Sequence, residues 1–409
     1  MIKDAVKKIT PSFLLDFYHL SLAFLGAVFY GFPSRKLKVI GVTGTNGKST
    51  VVLMIAKILE EAGFKTASLS SISFKIGDKE WPNALKMTMP GRFQIQKFLK
   101  QATDSRCLYA VVEVTSEGIK QHRHRFIDFD TVVFTNLSPE HIERHGSFEK
   151  YKEAKGKLFE ACKNIHIINR DDKNSDYFWS FPAKKKIGFT MSGGPASIAH
   201  YGGRASIVSA ENILPLNLKL PGEFNLYNAA AAIAVGLSQG IDLEICKDAL
   251  LKIESIPGRM EKILGEPFSA IVDYAHTPEA LEKVYQAMGG RKICVLGSAG
   301  GGRDKWKRPE IGKIAAKYCH EIILTNEDPY DEPPENILDD IASGAPNAQK
   351  ILDRREAIKK ALSLAGSGDT VIITGKGSEP WMCIKRGKKI PWSDKQIVLD
   401  MLKERNNII

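Results

Sequence analysis

The chain has 409 residues, 58 lysines and arginines against 47 aspartates and glutamates, and a formal charge of +11. This length holds two or three domains with cores of their own, and the composition excludes a largely disordered chain. The basic residues are scattered among acids, with neither a long basic tract nor an aromatic-basic platform. No nucleic-acid partner is therefore expected, and an anionic small substrate such as a nucleotide accounts for the excess equally well. Cysteines 107, 162, 246, 294, 319 and 383 include no Cys-x-x-Cys pair. Neither a disulfide framework nor a zinc site is expected, and a reducing cytoplasm fits best.

Residues 13–32 (FLLDFYHLSLAFLGAVFYGF) are strongly apolar and flanked by Lys7, Lys8, Arg35 and Lys36. Asp16, His19 and Ser21 interrupt the run, which is at the short end of the roughly 17–25 residues that a bilayer helix needs. No small-residue cleavage site follows it. The expectation is a helix packed on the protein or lying in a membrane interface, a peripheral contact rather than a span.

From Leu37 the pattern becomes α/β. Leu37 to Val42 reads as a buried strand, a glycine-rich turn follows, and Ser49 to Ala62 has helical periodicity ending at Gly63. Further apolar strands are expected at Tyr109–Val114, Thr131–Thr135 and Ile165–Ile168, giving a mostly parallel sheet with helices on both faces. An alanine-rich helix at Leu226–Leu237 closes this region, and Ile256-Pro-Gly-Arg259 reads as a linker. Strands then recur at Ala270–Val272, Lys292–Leu296, Glu321–Leu324 and Thr370–Ile373, a second and smaller Rossmann-like α/β domain. The expected divisions are an N-terminal helical segment at 1–37, a P-loop ATPase domain at 38–257 and a C-terminal domain at 258–409.

The turn Gly44-Thr-Asn-Gly-Lys-Ser49 lies between a strand and a helix. Backbone N–H groups of Gly44, Thr45, Asn46, Gly47 and Thr50 can hold phosphates there, while Lys48 neutralises charge and the Ser49 hydroxyl meets Mg²⁺. The strict Walker spacing is not met, because Val42 stands where glycine is wanted. A glycine-rich turn without ligand is the bland alternative. Glu113 ends an apolar strand, where doubly wound sheets present ligand-binding side chains; a turn-capping acid would look the same.

The stretch Gly41-Val-Thr-Gly-Thr-Asn-Gly-Lys-Ser-Thr50 resembles the variant phosphate loop of the Mur ligases and folylpolyglutamate synthetases. Further segments resemble the MurE-type branch in order and spacing: Glu113-Val-Thr-Ser-Glu-Gly-Ile-Lys-Gln-His-Arg123, Phe134-Thr-Asn-Leu-Ser-Pro-Glu-His141, Tyr151-Lys-Glu-Ala-Lys155, Pro257-Gly-Arg-Met-Glu261, Asp273-Tyr-Ala-His-Thr-Pro278, Gly302-Arg-Asp-Lys-Trp-Lys-Arg-Pro309 and Gly375-Lys-Gly-Ser-Glu379. The resemblance runs from about residue 38 to the end. It implies a ligase that uses ATP and Mg²⁺ to join an amino acid to a muramoyl-peptide-like carboxylate through an acyl phosphate, in cytoplasmic cell-wall precursor synthesis. A folylpolyglutamate-type ligase, or a silent nucleotide-regulated binding protein, stands as the alternative.

The resemblance also implies roles. Glu113, His141 and Ser49 would contact metal, and Lys155 would be carbamylated by CO₂, although Tyr151 to Lys157 also reads as an ordinary solvated lysine face. Asn228, Arg259 and Asp273 would serve the nucleotide, Arg259 as a cation meeting the triphosphate on domain closure. Thr88, Ser116 and Arg123 would bind the acceptor, though Thr115 and Glu117 replace the serine and histidine common there. Arg303, Glu327, Asp328, Tyr330, Gly375 and Glu379 would form the amino-acid side. Diaminopimelate-adding members carry Asp-Asn-Pro-Arg where this chain has Glu327-Asp-Pro-Tyr330, so the arginine for a distal carboxylate is absent. The acids Glu327, Asp328, Asp331 and Glu332 would instead suit a cationic side chain such as lysine, or form an acidic surface loop. About 37 residues precede the ATPase sheet, so the separate uridine-nucleotide domain of typical members is expected to be missing.

Overall fold

The structure, a computed structural model, describes residues 11–85, 87–191, 205–209, 218–264 and 266–406. Lys7 and Lys8 lie outside them. Two compact units are formed. The first takes the described residues up to Leu137, with those of Glu149–Leu218 and Asn225–Lys252; the second takes Ser138–Phe148, Lys219–Phe224 and everything from Ile253.

The first unit opens with helix α1 (Ser12–Phe29). Strand β1 (Lys38–Thr43) follows, a β-branched run buried from Val39 onward because sheet and helices cover it on all sides. Helix α2 (Lys48–Glu61) begins four residues after β1 ends. Next come β2 (Thr66–Leu69), β3 (Ser73–Ile76), β4 (Lys79–Pro82), α3 (Arg92–Asp104), β5 (Tyr109–Glu113), α4 (Ser116–Lys120) and β6 (Phe129–Phe134). After the segment of the second unit, α5 (Phe148–Ala161), β7 (Ile165–Asn169), β8 (Lys185–Thr190), β9 (Ala205–Ser209), α6 (Phe224–Ser238) and α7 (Leu243–Leu251) complete it. The nine strands pair in the order β4-β3-β2-β5-β1-β6-β7-β8-β9, parallel except at β2-β3 and β3-β4. Because β1 is flanked by β5 and β6, Val42 pairs with Glu113 and Thr43 with Phe134, so three carboxyl ends lie side by side. Doubly wound sheets bind ligands at such an edge.

The second unit carries β10 (Glu261–Leu264), β11 (Ser269–Val272), α8 (Pro278–Gln286), β12 (Lys292–Leu296), α9 (Lys307–Tyr318), β13 (Glu321–Leu324), α10 (Pro334–Ala342), β14 (Gln349–Lys350), α11 (Arg354–Leu364), β15 (Thr370–Ile373), a small hairpin and α12 (Asp394–Asn406). Its six strands run β10-β11-β15-β12-β13-β14, with only the β10 pairing antiparallel. Alternate strand residues feed opposite cores. Val272, Val295, Ile323 and Ile373 pack under Ala357, Ile358 and Val398, whereas Ile271, Cys294, Leu296 and Leu324 meet Leu281, Tyr285, Ile311 and Ile341.

One expectation is overturned here. Cys294 and Cys319 form a disulfide, their Cα atoms 6.0 Å apart across 25 residues of sequence. The pairing arises because helix α9 runs back along the sheet and returns its C-terminal end to the middle of β12, a proximity that no local spacing announces. As for 13–32, no helix among the described residues is long and apolar enough to cross a membrane.

Arg308 is fully buried at the start of α9, and its guanidinium donates to both Glu332 oxygens and to Asp340. Hydrogen bonds from Arg308, working against some burial and helped by Lys305, lower the Glu332 carboxyl from 4.5 to about 2. A depressed carboxylate stabilises the fold above its unfolded value and ceases to as pH falls through the folded one. Glu332→Gln should therefore cost about 1–3 kcal/mol at neutral pH and flatten the acid limb of the denaturation profile between pH 4.5 and about 2. Chemical denaturation across that range measures both effects.

Candidate active site

The chain must leave β1 and enter α2 within four residues, which exposes several backbone N–H groups at the start of a helix. Gly47 caps that helix with φ +83°, and a Cβ on it would come within 2.3 Å of Asn228 Oδ1. Only glycine accepts both the conformation and the approach. A Cβ on Gly44 would meet Thr135 Oγ1 at 2.0 Å. The turn is clasped from β6's end: Thr45 N donates to Asn136 O, Asn46 N to Asn136 Oδ1, and Thr135 Oγ1 to Asn46 O, at 2.8, 2.9 and 2.8 Å. From α5, Tyr151 OH lies 3.1 Å from Thr45 Oγ1, and the buried Lys155 donates through Nζ to Gly44 O at 2.7 Å. Lys48 Nζ donates to Thr45 O at 2.6 Å.

Beside this turn, Ser49 Oγ donates to Glu113 Oε2 at 2.7 Å and lies 2.7 Å from Ser71 Oγ, while Ser71 N donates to the same carboxylate oxygen at 2.9 Å. One carboxylate and two hydroxyls form a hard oxygen set. That set fits Mg²⁺, which keeps several waters and shares phosphate oxygens rather than taking an all-protein cage. No group of three or more His, Cys, Asp or Glu side chains among the described residues converges as a metal site. His141 belongs to the second unit, with φ +57° and its ring 3.7 Å from Glu140. Burial pushes the Glu140 carboxyl up, but His141, His276 and Lys307 overcome this and hold it well below the usual range.

The expected acceptor residues cluster in the first unit. Thr115 caps α4 by accepting from Gly118 N, and Glu117 accepts from Gln121, so the two departures from the family pattern serve the local helix. Ser116, Arg123 and His124 are buried, and Thr88 is half-buried. Arg123 bonds the Met89 carbonyl and Gln121. Burial, reinforced by Arg125 and His122, lowers His124 to about 3. Arg123 Nε, His122 Nδ1 and His124 Nδ1 are buried without hydrogen-bond partners, as expected where a polar ligand completes them.

In the second unit the carboxyl ends of β12, β13 and β15 bring Arg303, Glu327, Tyr330, Gly375 and Glu379 together. A Cβ on Gly375 would meet Glu327 Oε2 at 2.4 Å, and that oxygen is buried without a hydrogen bond. Burial lowers the Arg303 guanidinium, but Tyr330, Tyr274, Glu379 and Glu327 outweigh it and raise it above its ordinary value. The four-acid cluster, in contrast, is dispersed. Asp328 receives two bonds from the fully buried Lys376, at 3.1 and 3.2 Å, and the amide of Cys383; Lys376 also donates to Glu379. Asp331 accepts from the Arg386 amide, and Glu332 is bound to Arg308. Asp273 is likewise occupied, accepting from Met260 N and Ala275 N at 2.7 and 2.6 Å. It thereby fixes the turn that places Arg259 over the Tyr274 ring.

Two known domain families match this chain. The Mur ligase middle domain matches residues 42–236, and the Mur ligase glutamate ligase domain matches residues 258–377. A UDP-N-acetylmuramoyl-L-alanyl-D-glutamate--2,6-diaminopimelate ligase of Syntrophomonas wolfei is 37% identical over 405 residues, covering 94% of this chain and 82% of its own. The chain belongs to the Mur ligase family. A solved structure of such a diaminopimelate ligase superposes with TM-score 0.57 and 29% identity over 90% of this chain and 79% of that one. The Mycobacterium tuberculosis folylpolyglutamate synthase, at TM-score 0.68 and 18% identity over 87% and 92% of the two chains, shares the fold alone. As a Mur ligase the protein is an ATP-dependent, amide-forming enzyme, and the family works with ATP and Mg²⁺.

Ser71, Asn136, Tyr151 and Lys376 carry much of this geometry without having been assigned roles from sequence. Three stand inside recognisable motifs. Ser71 follows a short strand and has no motif of its own, so only the fold brings it to Glu113. Gly47→Ala should cost about 1–2 kcal/mol of strain and weaken ATP binding by about tenfold or more, as read by calorimetric titration with a non-hydrolysable ATP analogue.

Proposed function

We propose that this Mur ligase adds an amino acid with a cationic side chain to a muramoyl-peptide-like carboxylate, and that it works in peripheral contact with a membrane through 13–32. The observation that carries the amino-acid choice is the buried Glu327 carboxylate, with one oxygen lacking a partner, beside Tyr330 in place of an arginine. A carboxylate so placed welcomes an ammonium and repels a distal carboxylate. Lys376 cannot replace the missing arginine, since Asp328 and Glu379 already engage it. Arg303 remains to hold the amino acid's α-carboxylate.

In the reaction, the acceptor carboxylate attacks the γ-phosphorus of ATP and ADP leaves. The incoming amine then attacks the acyl phosphate carbonyl, phosphate departs, and the amine sheds a proton. Ser49, Glu113 and His141 would hold Mg²⁺, which when bound neutralises phosphate charge. The turn at Gly44–Ser49 orients the triphosphate through its N–H groups, and Lys48 moves from Thr45 O to the phosphate oxygens. Asn228 and Arg259 serve the rest of the nucleotide, Asp273 by holding the turn that places Arg259, and Thr88, Ser116 and Arg123 grip the acceptor. Lys155 takes up CO₂ as its neutral amine, forming an N–C bond and releasing a proton, so that a buried cation becomes an anion beside the loop. Its burial and its bond to Gly44 O hold the amine beside the loop.

Phosphate release should favour lysine over diaminopimelate by about tenfold or more in kcat/KM; the reverse order rejects the cationic-side-chain reading. Lys155→Ala should lose nearly all turnover and regain part of it with added short carboxylates. Native mass spectrometry should show one bound CO₂ in the parent and none in the variant.

A further inference from the structure

Helix α1 packs with its small residues inward. Ala23, Gly26 and Ala27 are buried, and a Cβ on Gly26 would meet Arg92 O at 3.3 Å. Two polar residues tie it to its neighbours: the exposed Asp16 accepts from His122 Nε2 at 2.7 Å, and the half-buried His19 bonds Arg92. Beside Asp16, the outward face is large and apolar. Phe13, Leu14, Phe17, Tyr18, Phe24, Leu25, Val28 and Phe29 are each at least 46% exposed. At about 100° per residue they cover roughly 160° of the helix. Phe93 extends the face, its ring 6.2 Å from Phe29 and itself 38% exposed.

The surroundings of this face are basic. Arg35 and Lys36 are exposed just beyond its C-terminal end, Lys97 stands one turn after Phe93, and exposed Arg125 precedes Phe126, whose ring packs edge-on against Phe24. Lys7 and Lys8 precede the helix in sequence. Of the nearby acids, Asp16 meets His122, and Asp128 lies 3.7 Å from Arg35 and offsets part of that residue's charge, leaving Lys36, Lys97 and Arg125 as the rest of the rim. An aromatic and aliphatic surface within a cationic surround matches an anionic bilayer, whose headgroups meet the rim while the rings enter the acyl boundary. A second copy of the chain would set the basic residues against themselves.

We infer that α1 docks the enzyme on an anionic membrane surface and carries the acceptor-side segments to it. The helix is tied to those segments directly, because His122 adjoins Arg123, and Arg92, bonded to His19, also donates to Gln121 O at 3.1 Å. Membrane seating therefore sets 87–92 and 116–126 at the lipid boundary. The docking rests on the peripheral contact through 13–32 proposed above and names its lipid class; the placement rests in addition on the acceptor reading, and the ligase reaction stands apart from both.

Flotation of the full chain with phosphatidylglycerol/phosphatidylcholine vesicles, without ATP or acceptor, tests docking apart from ligation. The protein should float with these vesicles and stay behind with pure phosphatidylcholine. Phe17→Ser/Phe29→Ser and Arg35→Glu/Lys36→Glu should each cut the bound fraction by about tenfold while leaving the thermal midpoint unchanged, since all four side chains are exposed. Failure of the parent chain to float overturns docking. So does equal flotation of the Phe17→Ser/Phe29→Ser variant, or a parent dimer by light scattering that this variant turns into a monomer without any vesicle binding. If docking holds but acceptor turnover is absent, only the ligase assignment of the 87–92 and 116–126 segments falls.

Discussion

Everything at the nucleotide edge depends on how one buried strand becomes a helix in four residues. Strand β1 cannot slide or fray, because both its neighbours are parallel strands and its residues from Val39 onward are buried. The turn after it must therefore be tight, and tightness leaves amide groups without intrahelical partners. Asn136 takes two of them, Thr135 closes against Gly44, and Asn228 closes against Gly47. The result is a rigid cradle whose remaining donors are free to meet phosphate. Such preorganisation lowers the reorganisation that charge transfer would otherwise require.

Charge is handled differently in the two units. Around the cradle single groups act: Lys48 and Lys155 donate to the loop's carbonyls, and Glu113 receives the Ser49 hydroxyl and the Ser71 amide. These bonds are ones that a triphosphate and its cation can exchange. In the second unit the strongest pairs are internal and permanent. Arg354 and Asp394 are both fully buried and bidentate, and Arg308 is shared by Glu332 and Asp340. Removing one partner of such a pair leaves a buried charge alone, so these contacts fix loop positions rather than take part in turnover.

The central strands β1, β5, β6 and β7 of the first sheet and β11, β12, β13 and β15 of the second were legible because they rest on local apolar runs, whereas β2, β3, β4, β8, β9, β10 and β14 were not. Lys292–Leu296 and Thr370–Ile373 are apolar runs that could bury nowhere but a central sheet. The phosphate turn was legible too, through its glycines and Gly-Lys-Ser. Contacts that arise only on folding were not. Ser71 meets Glu113 across 42 residues, Cys294 meets Cys319 across 25, and Lys376 reaches Asp328 across 48. An acidic stretch such as Glu327 to Glu332 reads as one cluster in sequence, yet the turn at Tyr330, with φ +55°, sends its members to different partners. The outward face of α1 was also hidden, since an apolar run states how much can be buried but not which side will be.

That last point bears on how the helix should be understood. A surface helix ordinarily buries its largest apolar side chains and exposes small or charged ones. Here the fully buried positions are two alanines and a glycine, which allow close approach to α3 and are flanked by the half-buried Leu15, Leu20 and Leu22, while four phenylalanines, Leu14 and Leu25 face outward. Fixed polar contacts through Asp16 and His19 set the rotation of the helix. Packing energy alone would favour turning it over, so the sequence spends its polar bonds on holding an apolar surface toward the solvent. A large exposed patch of this kind signals a surface that something covers.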